Sequence, residues 1–223
     1  MDWNTRVAAW EDVAASPAFQ RMADRVIAAA EPTPEDTAID LGAGTGLLTL
    51  RLARVAADVI AIDGAPAMVE HLRSVCARNE LTNVTCRVAD LRELTLPAGS
   101  RTLAVSNYAY HHIDHAGKRT ALQELFRVLA PGGRVVICDM MFALSLRPRD
   151  RRIMLDKLRL MVRRGPAGVT RILRNAGRVA TGTWEHPERP EAWHELLAEA
   201  GFIDISTAEL GNETGMAVAR RPA

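Results

Sequence analysis

The chain has 223 residues, a formal net charge of +1, and 48% apolar against 25% charged residues. That length suits one well-buried domain rather than two, the composition excludes large-scale disorder, and the balanced charge by itself argues for no acidic partner. The opening Met1-Asp2-Trp3-Asn4-Thr5-Arg6 leads into no apolar signal core and no run reaches membrane-span length, which predicts a cytoplasmic protein. Three cysteines, Cys76, Cys86 and Cys138, are scattered, match no zinc spacing and sit in apolar segments. They read as buried free thiols, and no metal site is expected.

In chain order, residues 4–30 read as helix broken at Ser16-Pro17, with Phe19, Met22, Val26 and Ile27 on one face. Pro32 and Pro34 end this N-terminal cover, 1–34. A β/α alternation then runs over 37–141. Strand 37–41 precedes a helix from Thr45 to about Arg54. Strand 58–62 leads to Asp63, and Pro66 can start the next helix, where Met68, Val69, Leu72, Val75 and Cys76 keep helical spacing. Strand 84–89 ends on Asp90, and strand 102–106 ends near Asn107. A helix over 116–129 closes at Pro131-Gly132-Gly133, and strand 134–139 follows.

The insertion 143–189 holds two amphipathic helix candidates, 149–164 and 167–179. In the last part, 190–223, a helix carrying Trp193, Leu196 and Leu197 stops at Gly201, and alternating residues flank Gly211-Asn212. The pattern predicts an α/β domain: a doubly wound, mostly parallel sheet with an antiparallel C-terminal hairpin.

The stretch Ala38-Ile39-Asp40-Leu41-Gly42-Ala43-Gly44-Thr45-Gly46-Leu47 carries the chemistry. A strand, a glycine turn, a helix and a strand-terminal acid form the grammar of a nucleoside-cofactor site. A dinucleotide site needs a small residue where Leu47 stands. S-adenosylmethionine (SAM) lacks the pyrophosphate and needs backbone passing close by, which glycine permits. Asp40 is placed for its ammonium group or to cap the turn. Asp63 is placed for the ribose hydroxyls or to cap the next helix, and one carboxylate can do both.

Asp40-Leu41-Gly42-Ala43-Gly44-Thr45-Gly46 resembles the first motif of class I SAM-dependent methyltransferases, and Ile62-Asp63 resembles their second. Ala89-Asp90-Leu91 is similar to their adenine-binding loop, and Arg127-Val128-Leu129-Ala130-Pro131-Gly132-Gly133 to the turn before strand five. The resemblance implies a seven-stranded Rossmann-like methyltransferase fold over a single domain, 1–223. It implies SAM as cofactor, bound by Asp40, Gly42, Gly44, Gly46, Asp63, Asp90, Leu91 and Asn107. It also implies that the insertion after strand five caps the active site.

The segment Ser106-Asn107-Tyr108-Ala109-Tyr110-His111-His112-Ile113-Asp114-His115 faces the carboxyl ends of the strands, where the methyl group would sit. A base is needed only if the acceptor carries a proton that must leave. His111 is the first candidate, His112 the second and His115 the last, with a packing role as the alternative for each. Tyr108, Tyr110, Trp10 and Met141 are candidate pocket residues. The prolines of the family's adenine-amino methylases are absent here, which counts against DNA base methylation.

Between Arg147 and Arg178 there are eleven Lys or Arg and two acids, interleaved with Met154, Leu155, Leu158, Met161 and Val162. The helices are expected to bury the apolar stripe and present a solvated basic face. An anionic or carrier-bound substrate is the sharper alternative, with a lipid or nucleic-acid surface behind it. The resulting expectation is an enzyme moving a methyl group from SAM to an O, N, S or activated C atom of a small organic molecule, in quinone or secondary metabolism among the options. A non-catalytic SAM-binding scaffold, a nucleic-acid methyltransferase and a nicotinamide-dependent oxidoreductase are the competing readings. Substrate identity and oligomeric state are left open.

Overall fold

The computed structural model describes residues 3–163, 165–181 and 184–223. Met1 and Asp2 of the N-terminal cover, and Arg164, Gly182 and Thr183 of the insertion, lie outside the described residues.

Eight helices are seen among the described residues: α1 (Val7–Ala15), α2 (Pro17–Ala30), α3 (Thr49–Leu52), α4 (Pro66–Arg78), α5 (His115–Val128), α6 (Pro148–Val162), α7 (Pro166–Ala180) and α8 (Pro190–Glu199). Proline stands at the start of five of them (α2, α4, α6, α7 and α8), where its missing N–H costs nothing. The strands are β1 (Thr37–Leu41), β2 (Asp58–Asp63), β3 (Val84–Val88), β4 (Arg101–Asn107), β5 (Leu129–Met140), β6 (Ile203–Gly211) and β7 (Thr214–Arg220).

They form one sheet in the order β3-β2-β1-β4-β5-β7-β6. The first five strands are parallel, and β7 runs antiparallel to both neighbours. Chain direction across the sheet reverses between β1 and β4, so a crevice opens there at the strands' carboxyl ends.

The central strands are buried on both faces, as parallel strands must be. Ile39, Leu41, Val135 and Ile137 point to a layer built with α5 and α8, where Leu122, Leu125, Trp193 and Leu197 pack. Ala38, Leu103, Val105 and Val136 point to the opposite layer with α2 and α3. This period-two division fixes which side each acid of the sheet faces.

Two elements differ from expectation. The helix after the glycine run is one turn, 49–52, instead of 45–54. Gly44 (φ +52) and Gly46 (φ +97) hold the chain outside the right-handed helical region. Pro131-Gly132-Gly133 lies inside β5 and not before it, because α5 passes directly into the strand.

The larger correction concerns the insertion. The stripe expected to be buried on α6 is open: Met154, Leu155, Leu158 and Val162 are all exposed. The helix pair stands off the end of β5, outside the two layers that cover the sheet, and on α6 the buried residues are Asp150 and Ile153.

Candidate active site

The glycine turn is anchored before any ligand arrives. Gly42 and Ala43 donate backbone N–H bonds to the Ile62 carbonyl at 2.8 and 2.9 Å. Gly44 N donates to Asp63 Oδ2 at 2.9 Å, and Ala65 N to Asp63 Oδ1 at 2.8 Å. Asp63 therefore fastens the turn and the start of α4 together while still lining the cleft. Burial raises its carboxyl above the usual range, and these two amide bonds oppose the shift.

The cleft, ≈ 290 Å3, is lined by Gly42, Gly44, Asp63, Met68, Asp90 and Leu91 on one side, and by Tyr108, Ala109, His112 and Ile113 on the other. Trp10 and Asn4 of the N-terminal segment close over it. Asn4 accepts a bond from Ala67 N at 3.0 Å, and a Cβ on Gly44 would stand 2.9 Å from the Trp10 indole nitrogen. Asp90 is held by Arg92, whose guanidinium donates at 2.9 and 2.6 Å and keeps the carboxyl below the ordinary range. Two carboxylates among apolar walls, with bare glycine backbone at the base, fit a nucleoside carrying a cationic chain.

Other expected cofactor residues lie behind this wall. Asp40 is 1% exposed on the α2–α3 face of the sheet and accepts from Thr49 Oγ1 at 2.6 Å. Burial pushes its carboxyl up to about 7. Gly46 gives space to Leu72 and does not line the cleft. Asn107 also lies outside the lining, and its buried Oδ1 accepts no hydrogen bond among the described residues.

The histidine segment splits. His112 lines the cleft, whereas His111 is buried behind it, with the two rings 4.0 Å apart. His111 Nδ1 lies 2.6 Å from Asp139 Oδ1, and its backbone N–H donates to Asp139 Oδ2 at 3.2 Å. Met140 N also donates to Asp139, at 2.6 Å. Burial opposes ionisation of Asp139, but His111 and these donors outweigh it and hold the carboxyl below the usual range. An ionised Asp139 can only accept, so Nδ1 of His111 carries the hydrogen. His115 is exposed and paired with Glu188 at 3.0 Å.

The cleft wall, with the neighbouring His111 second, lowers the His112 imidazole below its ordinary value, although the residue keeps an exposed side toward the cleft. The unfolded chain takes up a proton near pH 6.5 that the folded chain accepts only at lower pH, so this group's stabilisation is full above 6.5 and drains as pH falls below it. His112→Gln is expected to flatten the fall in urea midpoint across that window. An unchanged slope would mean that His112 is not the group responsible.

Tyr108 has φ +58, strained for an aromatic residue. It is pinned by its N–H to the Cys138 carbonyl at 2.8 Å, by its hydroxyl to Thr214 at 2.8 Å, and by ring contact with Phe19. It lines both the cleft and a second groove of ≈ 990 Å3 bounded by Phe19, Arg149, Arg152, Lys157 and Glu213. Tyr110 does not join it. The following turn rotates that ring into the core, where it is fully buried edge-on to Trp193. Met141 is likewise buried against Gly215.

Asp139 and Thr49 were not anticipated. The signal for Asp139 is an acid at the carboxyl end of a central strand, the position that made Asp63 and Asp90 stand out. Among the described residues no group of three or more His, Cys, Asp or Glu could hold a metal ion. No helix there is long and apolar enough to cross a membrane.

A seven-stranded sheet of this order, with its cleft at the β1/β4 switch point under a glycine turn, is the class I SAM-dependent methyltransferase fold. Residues 38–133 match the family model described as a methyltransferase domain. The chain is 33% identical over 122 residues to an uncharacterised methyltransferase of Oceanobacillus iheyensis, covering 53% of this chain and 54% of the relative. It is 39% identical over 121 residues to a malonyl-[acyl-carrier protein] O-methyltransferase of Halorhodospira halophila, covering 52% and 40%. A SAM-dependent methyltransferase from Aquifex aeolicus superposes with a TM-score of 0.68 at 16% identity, covering 97% of each chain. The chain spans about half, or less, of the length of the curated relatives it matches.

Proposed function

We propose that this protein transfers a methyl group from SAM to an O, N, S or activated C atom of a small organic molecule. The observation that carries the proposal is one cleft with the glycine turn, Asp63 and Asp90 at one end and Tyr108, His112 and Ile113 at the other. SAM supplies a methyl group made electrophilic by its sulfonium.

The chain's own residues provide the rest. Gly42 and Gly44 allow the backbone to pass close to the cofactor's amino-acid portion. Asp63 has lone pairs left for ribose hydroxyls, and Asp90 with Leu91 frames the adenine. Trp10 shields the cleft from water. Asp40, set behind the turn near neutral pKa, acts on the ammonium group only through the turn it supports.

On the acceptor side the geometry favours alignment over base catalysis. A His112 imidazole held below its ordinary value is a weaker proton acceptor at neutral pH than a free one. His111, backed by Asp139, is a positioning residue that fixes the His112 ring and the strained Tyr108. The arrangement suits an acceptor that is already anionic or easily ionised, such as a phenol, thiol, enol or carboxylate. Arg149, Arg152 and Lys157 beyond Tyr108 support an anionic or carrier-bound acceptor, as does the name of the Halorhodospira relative.

Calorimetric titration is expected to show binding of SAM and none of NAD. NAD binding without SAM binding would sink the proposal. With an acceptor identified, kcat/KM should follow the acceptor's own ionisation in both the native protein and His112→Gln. A limb of the pH profile that disappears in His112→Gln would restore a general-base role, and absence of turnover across a broad acceptor screen would leave the scaffold reading standing.

A further inference from the structure

The insertion between β5 and α8 concentrates two properties that the rest of the chain lacks. Of the 28 Lys and Arg and 27 Asp and Glu in the chain, eleven and two fall between Arg147 and Arg178. Near-neutral overall charge thus conceals a cationic hairpin on a net acidic body. The same segment is apolar on its surface. Among the described residues, ten of the fourteen exposed large apolar side chains lie between Leu144 and Val179.

The pattern on α7 is the more informative. Val169, Ile172, Leu173, Ala176 and Val179 recur at helical spacing on one face, and Arg174 and Arg178 stand opposite. A helix with that pattern ordinarily buries its stripe against a core. Here Leu173 is 69% exposed, and Val169 and Val179 are both open. On α6, Met154, Leu155, Leu158 and Val162 form a second open stripe with Arg151 inside it, while the far face turns Arg152 and Lys157 toward the groove beside Tyr108.

We propose that the α6–α7 hairpin docks on an anionic lipid bilayer, with the apolar face of α7 seated at the headgroup–acyl boundary and the arginines in the field of the lipid phosphates. Charge complementarity selects this occupant, because excess positive charge is attracted to an anionic surface and an open apolar stripe needs a medium to enter. A nucleic acid would use the charge and leave the stripe in water. An acidic carrier protein would engage the basic groove and have no need of Leu173. The proposal does not depend on the acceptor's identity, since it concerns a face separate from the cofactor cleft.

Co-sedimentation of the full chain with vesicles tests it. Binding is expected to phosphatidylcholine–phosphatidylglycerol vesicles and to fall strongly on phosphatidylcholine alone or in high salt. Arg151→Gln and Arg174→Gln should each lower the partition coefficient about fivefold. Leu173→Asp should lower it by at least about tenfold. All three variants are expected to keep native circular dichroism and native SAM affinity, because the altered side chains are exposed and distant from the glycine turn. Equal partitioning onto both vesicle types would overturn the proposal, as would indifference to Leu173→Asp. A vesicle-free dimer dissolved by Leu173→Asp would assign the face to a second copy and overturn it as well.

Discussion

Asp139→Ala is expected to destabilise the protein by about 3–5 kcal/mol, the usual consequence of removing one partner from a buried charge-assisted pair. The carboxylate is fully buried and takes three bonds, from the His111 ring, His111 N and Met140 N. Alanine would leave all three donors in an apolar space with no acceptor. Asp139→Asn keeps the volume and one acceptor but turns an amide N–H₂ toward a donor, so a smaller loss of about 1–3 kcal/mol is expected.

The pH dependence separates the pair from simple packing. Because the folded-state pKa of Asp139 lies below 3.8, its contribution is complete above that pH and disappears as pH falls through the folded value. Urea unfolding of Asp139→Asn should lack this acid-side loss. In transfer assays the two variants should lower kcat more than they raise the KM for SAM, since Asp139 acts through the histidines and not on the cofactor. Native stability in Asp139→Ala would remove the pair from the description of this site.

Gly42→Ala is the second large effect. Its Cβ would overlap the Cβ of Ala109, the residue that carries the chain from β4 into the histidine segment. The backbone there is also at φ +75. Left-handed strain costs about 1–2 kcal/mol and overpacking about 1–3, so a loss near 3 kcal/mol is expected, equivalent to a fall in Tm of roughly 6–12 °C. Pushing Ala109 away also moves His112 and Tyr108, so SAM affinity should fall with stability.

Gly132→Ala provides the control. Gly132 has a similar φ, +74, with nothing within 4 Å of a new Cβ. It should show the strain alone, about 1–2 kcal/mol, with SAM binding intact. Equal effects at the two positions would show that the approach of Ala109 to the turn contributes nothing.

The glycine turn and Asp63, which line the cleft, were legible because their signals are local, whereas Asp40, Gly46 and Asn107 lie outside the lining. Gly42, Gly44 and Asp63 lie within two strands and a turn, and a one-residue change in that spacing would alter what they can hold. The acceptor half depends on contacts between distant segments. His111 meets Asp139 across 28 positions, through the pairing of β4 with β5. Neighbouring residues also diverge sharply in the turn after β4. Tyr108 and His112 face the cleft, whereas Tyr110 and His111 go inward, and composition cannot rank them. The open stripes of α6 and α7 were misread for a related reason. Amphipathic spacing records that a helix has an apolar face, but not whether any surface lies within reach to cover it.

The sequence by itself determined the β/α order, the glycine turn, the two acids at the ends of β2 and β3, and the antiparallel ending. Each follows from spacing and backbone preference within a few residues. Tertiary structure alone decided that Asp63 fastens the turn it serves, that Asp40 sits behind the turn against Thr49, and that His112 rather than His111 reaches the cleft. It also placed Asp139 beneath the histidines and left the insertion's apolar faces open. These outcomes depend on which face of a strand is buried and which chain lies opposite, and burial sets the pKa values that give each acid and histidine its use.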